Sequence, residues 1–166
     1  DVITICLIGT NSTIIPHLDK TAAAGLIAAM GAAQFTGKKG KSLTLYGAAG
    51  TYLLIGIGDA LEAGRDAEDI GGVVFKALEA TAQKRGYMPE HQLAHEVTAD
   101  LVFGMRLAAY HFEDYFTESE SVSETVSLTL TANGIDDQHP LIVDRYALVD
   151  GVYLARDLVF EPANKL

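Results

Sequence analysis

The sequence predicts one mixed α/β or α+β domain with helices packed on a sheet. Three observations carry this. Two nearly continuous apolar runs, Val2 to Ile8 and Tyr52 to Ile55, have the length and residue types of strands buried on both faces. Two longer stretches repeat apolar residues at helical steps of 3 and 4. The segments follow the order β, α, β, β, α, α, β, α, with no internal repeat, low-complexity tract or dividing linker. The 166 residues suit a single domain.

Each element has a local reason. The first strand, Val2 to Ile8, is broken by Gly9-Thr10-Asn11-Ser12. Asp19 to Ala33 reads as an Ala-rich helix with Asp19 as N-cap, weakened at Gly25. Gly37-Lys38-Lys39-Gly40-Lys41 is a basic loop. Ser42 to Tyr46 and Tyr52 to Ile57 read as strands around the Gly-flanked turn Gly47-Ala48-Ala49-Gly50. Ala67 to Arg85 reads as a helix with Ile70, Val73, Val74, Ala77, Leu78 and Ala82 on one face. Lys84 and Arg85 before Gly86 resemble a C-terminal signature.

A second long helix is expected from Glu96 to Tyr115, with Val97, Leu101, Met105, Ala108 and Phe112 in register. Ser119 to Ser123 is a polar loop. Val126, Leu128 and Leu130 then alternate with polar residues, the period of a strand. A last helix is expected from Pro140 to Phe160, burying Val149, Val152 and Val159, with Pro162 as its stop. Tyr87 to His95 shows no clear strand.

The formal net charge of −10 argues against a nucleic-acid binder or a binder of anionic membranes, since both need a basic patch. No stretch has the ~20 apolar residues of a membrane span, and no secretory signal is expected at the N-terminus. The single Cys6 excludes an internal disulfide and a cysteine-based zinc site, and favours a reducing compartment.

The candidate chemistry is thin. His91 and His95 stand four apart and would share a helix face, but Gln92 occupies the place of the zincin glutamate, so solvated histidines at a helix start are the preferred reading. Gly56-x-Gly58 follows a strand, as in a phosphate-binding turn. Leu61 replaces the third glycine and Asp59 would repel a phosphate, so turn glycines are preferred. Gly37 to Lys41 lacks the Walker order, no serine sits in a Gly-x-Ser-x-Gly elbow, and Glu113 with Asp114 reads as a solvated helix end. Cys6 reads as an inert core thiol.

Three segments carry a resemblance. Ala155-Arg156-Asp157-Leu158-Val159-Phe160-Glu161-Pro162-Ala163-Asn164 is similar to the A-R-D-L-V-x-x-P-A-N segment of the leucyl aminopeptidase family (the M17 metallopeptidases, or cytosol aminopeptidases), although Phe160 stands where many members carry a small polar residue. Gly104 to Tyr115 resembles the family's G-x-x-L-x-x-Y-x-F-x-x-Y helix. Phe35 to Gly40 followed by Leu54 to Gly58 resembles its F-x-G-K-x-G and v-G-l-G stretches. The three occur in family order and span nearly the whole chain.

The resemblance implies a macro-domain-like three-layer α/β/α sandwich with a mixed sheet. Residues 1–150 would be the family's N-terminal domain, and 151–166 the start of the linker to a catalytic domain. It implies a cytoplasmic parent that removes N-terminal residues from peptides with two Zn²⁺ or Mn²⁺ ions, as a homohexamer. The metal-binding motifs D-S-G-G and N-T-D-A-E-G-R do not occur in this sequence, so no catalytic or metal-binding residue carries over and no cofactor is expected here. Arg156, Asp157, Pro162 and Asn164 carry over as residues that shape the linker. The expected partners are the chain's own catalytic domain and sister subunits. Two alternatives remain: a macro-like module that binds ADP-ribose or a related nucleotide, with Gly56, Gly58 and Asp59 as its loop, and a stand-alone oligomerisation domain.

Overall fold

The computed structural model describes residues 2–10, 20–47, 50–89, 93–110, 125–131 and 134–160, without the side chains of 20–22. In chain order the elements are β1 (Ile3–Gly9), α1 (Lys20–Ala32), β2 (Ser42–Gly47), β3 (Gly50–Gly58), α2 (Arg65–Glu79), β4 (Arg85–Met88), α3 (His95–Ala108), β5 (Ser127–Leu130) and α4 (Pro140–Phe160). The sheet has the order β2-β3-β1-β4-β5. Only β2 runs antiparallel to its neighbour, β3; the other pairings are parallel.

The apolar runs of β1 and β3 pair with each other, Ile5 beside Leu53 and Cys6 beside Leu54. Alternation then sends their side chains into two separate cores. On one face Ile3, Ile5, Leu53 and Ile55 meet Ile70, Val74 and Leu78 of α2 and Leu101 and Met105 of α3. On the other, Cys6, Ile8, Tyr52 and Leu54 meet Leu26 of α1, with Met30 beside it. Helices therefore cover both faces, and the domain is the predicted three-layer α/β/α sandwich with a mixed sheet. The chain passes from β1 to α1 on one face and from β3 to α2 on the other.

Helices α2 and α3 cross at backbone contact. A Cβ on Gly71 would overlap the carbonyl of Leu101, and one on Gly104 would overlap the carbonyl of Glu68. Only glycine permits that approach at both points, so the Gly104 of the family-like helix has a packing role.

Helix α3 ends at Ala108, with Ala109 as its cap, short of the expected Tyr115. Three further expectations need correction. Helix α2 ends at Glu79, not at Arg85. The buried Thr81 hydroxyl donates to the Leu78 carbonyl at 2.6 Å, and Lys84 takes the left-handed conformation at φ 48°. These turn the chain, so Ala82 lies outside the helix and exposed. Residues 85–88 then form a strand where none was expected. β4 inserts between β1 and β5, alternating exposed Arg85 and Tyr87 with buried Gly86 and Met88. A Cβ on Gly86 would stand 2.7 Å from Ile5 Cδ1 and 2.8 Å from Leu78 Cδ2, so this glycine fits a strand crowded by the core and is not a helix cap.

Third, α4 keeps the expected bounds but not the expected face. Val149 is buried, Val152 half-buried and Val159 81% exposed. The proposed N-cap Asp19, the turn residues Ala48 and Ala49, residues 111–115 of the expected second helix and the polar loop 119–123 lie outside the described residues.

Candidate functional site

The glycine-rich segments meet at the C-terminal ends of β1 and β3. Here adjacent parallel strands lead to helices on opposite faces, which is where open α/β sheets form ligand crevices. In this chain its own 37–41 loop fills the position. Gly58 N–H donates to Gly37 O at 2.9 Å, Gly56 N–H to Lys41 O at 2.7 Å, and Gly40 N–H to Gly56 O at 2.9 Å. A Cβ on Gly56 would overlap Lys38 O, and one on Gly37 (φ 68°) would lie 2.7 Å from Gly9 O.

The amides of Gly56 and Gly58 are thus engaged within the chain. Lys39 pairs with Asp66 at 2.5 Å, and the Thr10 hydroxyl donates to Asp59. The basic loop keeps Lys38 and Lys39 exposed while Gly37 is buried.

The other two family-like segments converge on the contact between α3 and α4. Arg156 donates from Nη1 to the Leu107 carbonyl at 3.2 Å and stands 5.0 Å from the centre of the Tyr110 ring. The Tyr110 hydroxyl donates to Asp157 Oδ1 at 2.8 Å. Tyr153 packs on Tyr110 with ring centres 5.0 Å apart, and its hydroxyl donates to the Arg106 carbonyl. Burial raises the Tyr153 phenol above its ordinary value, against the opposing pull of Arg106 and Arg156. Arg156 and Asp157 therefore pin the end of α4 to the carbonyl end of α3. Pro162 and Asn164 lie outside the described residues.

A second tie on the same pair of helices was not singled out from sequence. Asp100 is 2% exposed. Its Oδ1 accepts from Arg145 Nε at 2.7 Å, with Arg145 Nη2 at 2.6 Å, and its Oδ2 accepts from Gly64 N–H at 2.6 Å. One carboxylate thus joins α3, α4 and the start of α2. The signal was present: Asp100 falls three residues after Val97, on the apolar face of α3, where an unpaired charge is costly. Its partner is 45 residues away and gives no local sign.

A cavity of about 800 Å³ opens between α2, α3, β5 and α4. Its floor is apolar, with Phe75, Met105, Leu128 and Leu130. At its polar edge the Arg106 guanidinium stands 4.2 Å from the centre of the Tyr146 ring, and the Tyr146 hydroxyl donates to Asp137 at 3.0 Å. Burial and then that hydrogen bond raise the Tyr146 phenol. Arg106, Tyr146 and Asp137 thus engage one another at that edge.

The remaining candidates scatter. His95 opens α3 with its ring edge-on to His139 at 5.1 Å, while His91, Glu113 and Asp114 lie outside the described residues. Cys6 is 3% exposed, and burial pushes its thiol up to about 11. Among the described residues no group of three or more His, Cys, Asp or Glu side chains gathers to hold a metal. Those residues do not fit a two-metal centre.

Comparison with known proteins decides the relationship. The profile of the cytosol aminopeptidase family, N-terminal domain, matches residues 10–119. The chain belongs to the cytosol aminopeptidase family. The probable cytosol aminopeptidase of Rhizobium meliloti (strain 1021) is 30% identical over 145 residues, covering 80% of this chain and 29% of the relative. That of Bradyrhizobium sp. (strain BTAi1 / ATCC BAA-1182) is 32% identical over 148 residues, covering 83% and 30%.

Among solved structures, a tomato leucine aminopeptidase mutant superposes on 100% of this chain and 36% of its own, with a TM-score of 0.75 at 19% identity. The bottromycin maturation enzyme BotP superposes on 98% of this chain and 33% of its own, with a TM-score of 0.65 at 18% identity. The two structures share the fold. The chain spans about a third of the length of these cytosol aminopeptidase relatives.

Proposed function

We propose that this cytosol aminopeptidase N-terminal domain is non-catalytic and serves assembly and control of access in a larger aminopeptidase. The parent would remove N-terminal amino acids from peptides in the cytoplasm, using two Zn²⁺ or Mn²⁺ ions held by a separate catalytic domain, as a hexamer. The observation that carries this reading is the anchoring of Arg156 and Asp157 on α3. In this reading residues 1–150 form the body of the domain and 151–166 begin the connection to the catalytic part. Helix α4 runs through residue 150 without a break, so the connection leaves as a held helix with a set direction. No helix among the described residues is long and apolar enough to cross a membrane.

The nucleotide-binding alternative has less support, because the Gly56 and Gly58 amides already donate to Gly37 and Lys41. Two measurements test the main reading. The purified chain is expected to show no turnover of a leucyl anilide with added Mn²⁺ or Zn²⁺, and chelator-sensitive turnover would refute it. An immunoblot of the source cells with an antibody to this domain is expected to show a band about three times heavier than 17.7 kDa. A band at 17.7 kDa would leave only the stand-alone assembly role.

A further inference from the structure

The cavity between α2, α3, β5 and α4 measures about 800 Å³. That lies within the ~300–1,000 Å³ usual for small-molecule sites. Its floor is made of carbon and sulfur side chains, Phe75, Met105, Leu128 and Leu130. Its edge carries opposite charges. Arg106 comes from the last turn of α3, and Asp137 from the turn before α4. One tyrosine side chain links them. The Tyr146 hydroxyl donates to Asp137 Oδ1 at 3.0 Å, and the Arg106 guanidinium rests 4.2 Å from the centre of the same ring.

Both charges keep capacity to bind. A guanidinium carries five N–H donors in a planar fork that suits a carboxylate. Among the described residues Arg106 forms no ion pair. The ring beneath holds the fork in place, so little side-chain freedom is lost when a carboxylate arrives. Asp137 Oδ2 likewise has no hydrogen-bond partner among the described residues. Arg106 and Asp137 are both exposed, within reach of a solute.

Charge then selects the solute. A bare anion would face Asp136 and Asp137, and a bare cation would face Arg106, so one side of the edge opposes each. A solute that carries both charges close together, with an apolar side chain for the floor, is matched at every point. An apolar α-amino acid such as leucine or phenylalanine has that form.

We propose that this cavity binds a free apolar α-amino acid, with its carboxylate on Arg106, its ammonium group on Asp137 and its side chain against Met105 and Leu128. Such amino acids are what the parent proposed above would release. A role for the site in that parent rests on that reading; the binding itself does not.

Calorimetry of the chain with L-leucine and with L-phenylalanine is expected to show saturable binding. Isocaproate, which is leucine without its ammonium group, and isoamylamine, which is leucine without its carboxylate, should bind at least tenfold more weakly. L-leucine should lose as much affinity for Arg106→Gln and for Asp137→Asn. Both positions are exposed, and circular dichroism should show the fold kept. NMR of methyl-labelled methionine locates the site. Leucine should shift the Met105 methyl, which lines the cavity, and leave Met30, which packs on the other face of the sheet.

Absence of saturable binding by both amino acids overturns the proposal. So does a singly charged analogue that binds as tightly as leucine, an affinity unchanged in either folded variant, or a Met105 methyl that leucine leaves in place. If a variant unfolds, the analogue series on the unaltered chain still decides. None of these results touches the parent's activity, which the turnover and immunoblot experiments address.

Discussion

Asp100 ties α4 to α3 and to the start of α2, and its removal can be worked through. Asp100→Ala deletes the acceptor of Arg145 and of the Gly64 amide. The Arg145 side chain is 28% exposed and can turn to water, so its charge is not stranded. The loss is then one charge-assisted contact and one orphaned amide, about 3 kcal/mol in all. Arg145→Ala is worse, because the carboxylate it leaves is 3% exposed with Gly64 N–H as its remaining donor; about 4 kcal/mol is expected.

Replacing both, Asp100→Leu with Arg145→Met, removes both charges and should cost only about 1 kcal/mol, the share of the Gly64 amide. Urea unfolding measures the three values. In thermal melts Asp100→Ala should lower Tm by roughly 6–12 °C for a domain of this size. Hydrogen exchange should show α4 opening first. A single variant costing under about 1 kcal/mol, or a double variant as costly as the two singles together, would refute the reasoning.

Gly104→Ala should destabilise by about 2 kcal/mol or more, because its Cβ overlaps the Glu68 carbonyl and forces α2 and α3 apart. Gly25→Ala, where nothing lies within 4 Å, should instead stabilise by about 0.5–1 kcal/mol; urea melts check both. The Cys6 thiol sits above its ordinary value in the folded chain, so the fold disfavours the thiolate. Its contribution, about 3 kcal/mol, is complete below pH 9 and is lost as pH rises toward about 11. Comparing the wild type with Cys6→Ala across that range isolates it, and a thiol reagent at pH 8 should label Cys6 only on unfolding. Calorimetry with ADP-ribose should give no binding heat, since the Gly56 and Gly58 amides are engaged; saturable heat would restore the nucleotide reading.

Strands β1 and β3 were legible because a strand buried on both faces is apolar without interruption, a property of the segment alone. Strand β4 was not. Its four residues, Arg85 to Met88, carry two exposed side chains and a glycine, and Lys84 with Arg85 reads locally as a helix end. What makes it a strand is the slot between β1 and β5, where only Gly86 clears Ile5 and Leu78. The family-like glycines were legible as motif and illegible as mechanism, because Gly56 is explained by the Lys38 carbonyl on a distant turn. Asp100 was visible as a charge on an apolar face, but its meaning came from Arg145.

Helix α4 shows the limit most sharply. From Pro140 to Phe160 apolar residues occupy both sides, so periodicity gives the helix and withholds its orientation. Polar partners decide it: Arg145 on Asp100, Tyr153 and Arg156 on the last carbonyls of α3, and Asp157 on Tyr110. Val159 was expected inside because it is apolar, and it stands 81% exposed because those ties turn its face away from α3. The described chain covers one side of α4 and leaves Leu154, Leu158 and Val159 exposed on the other.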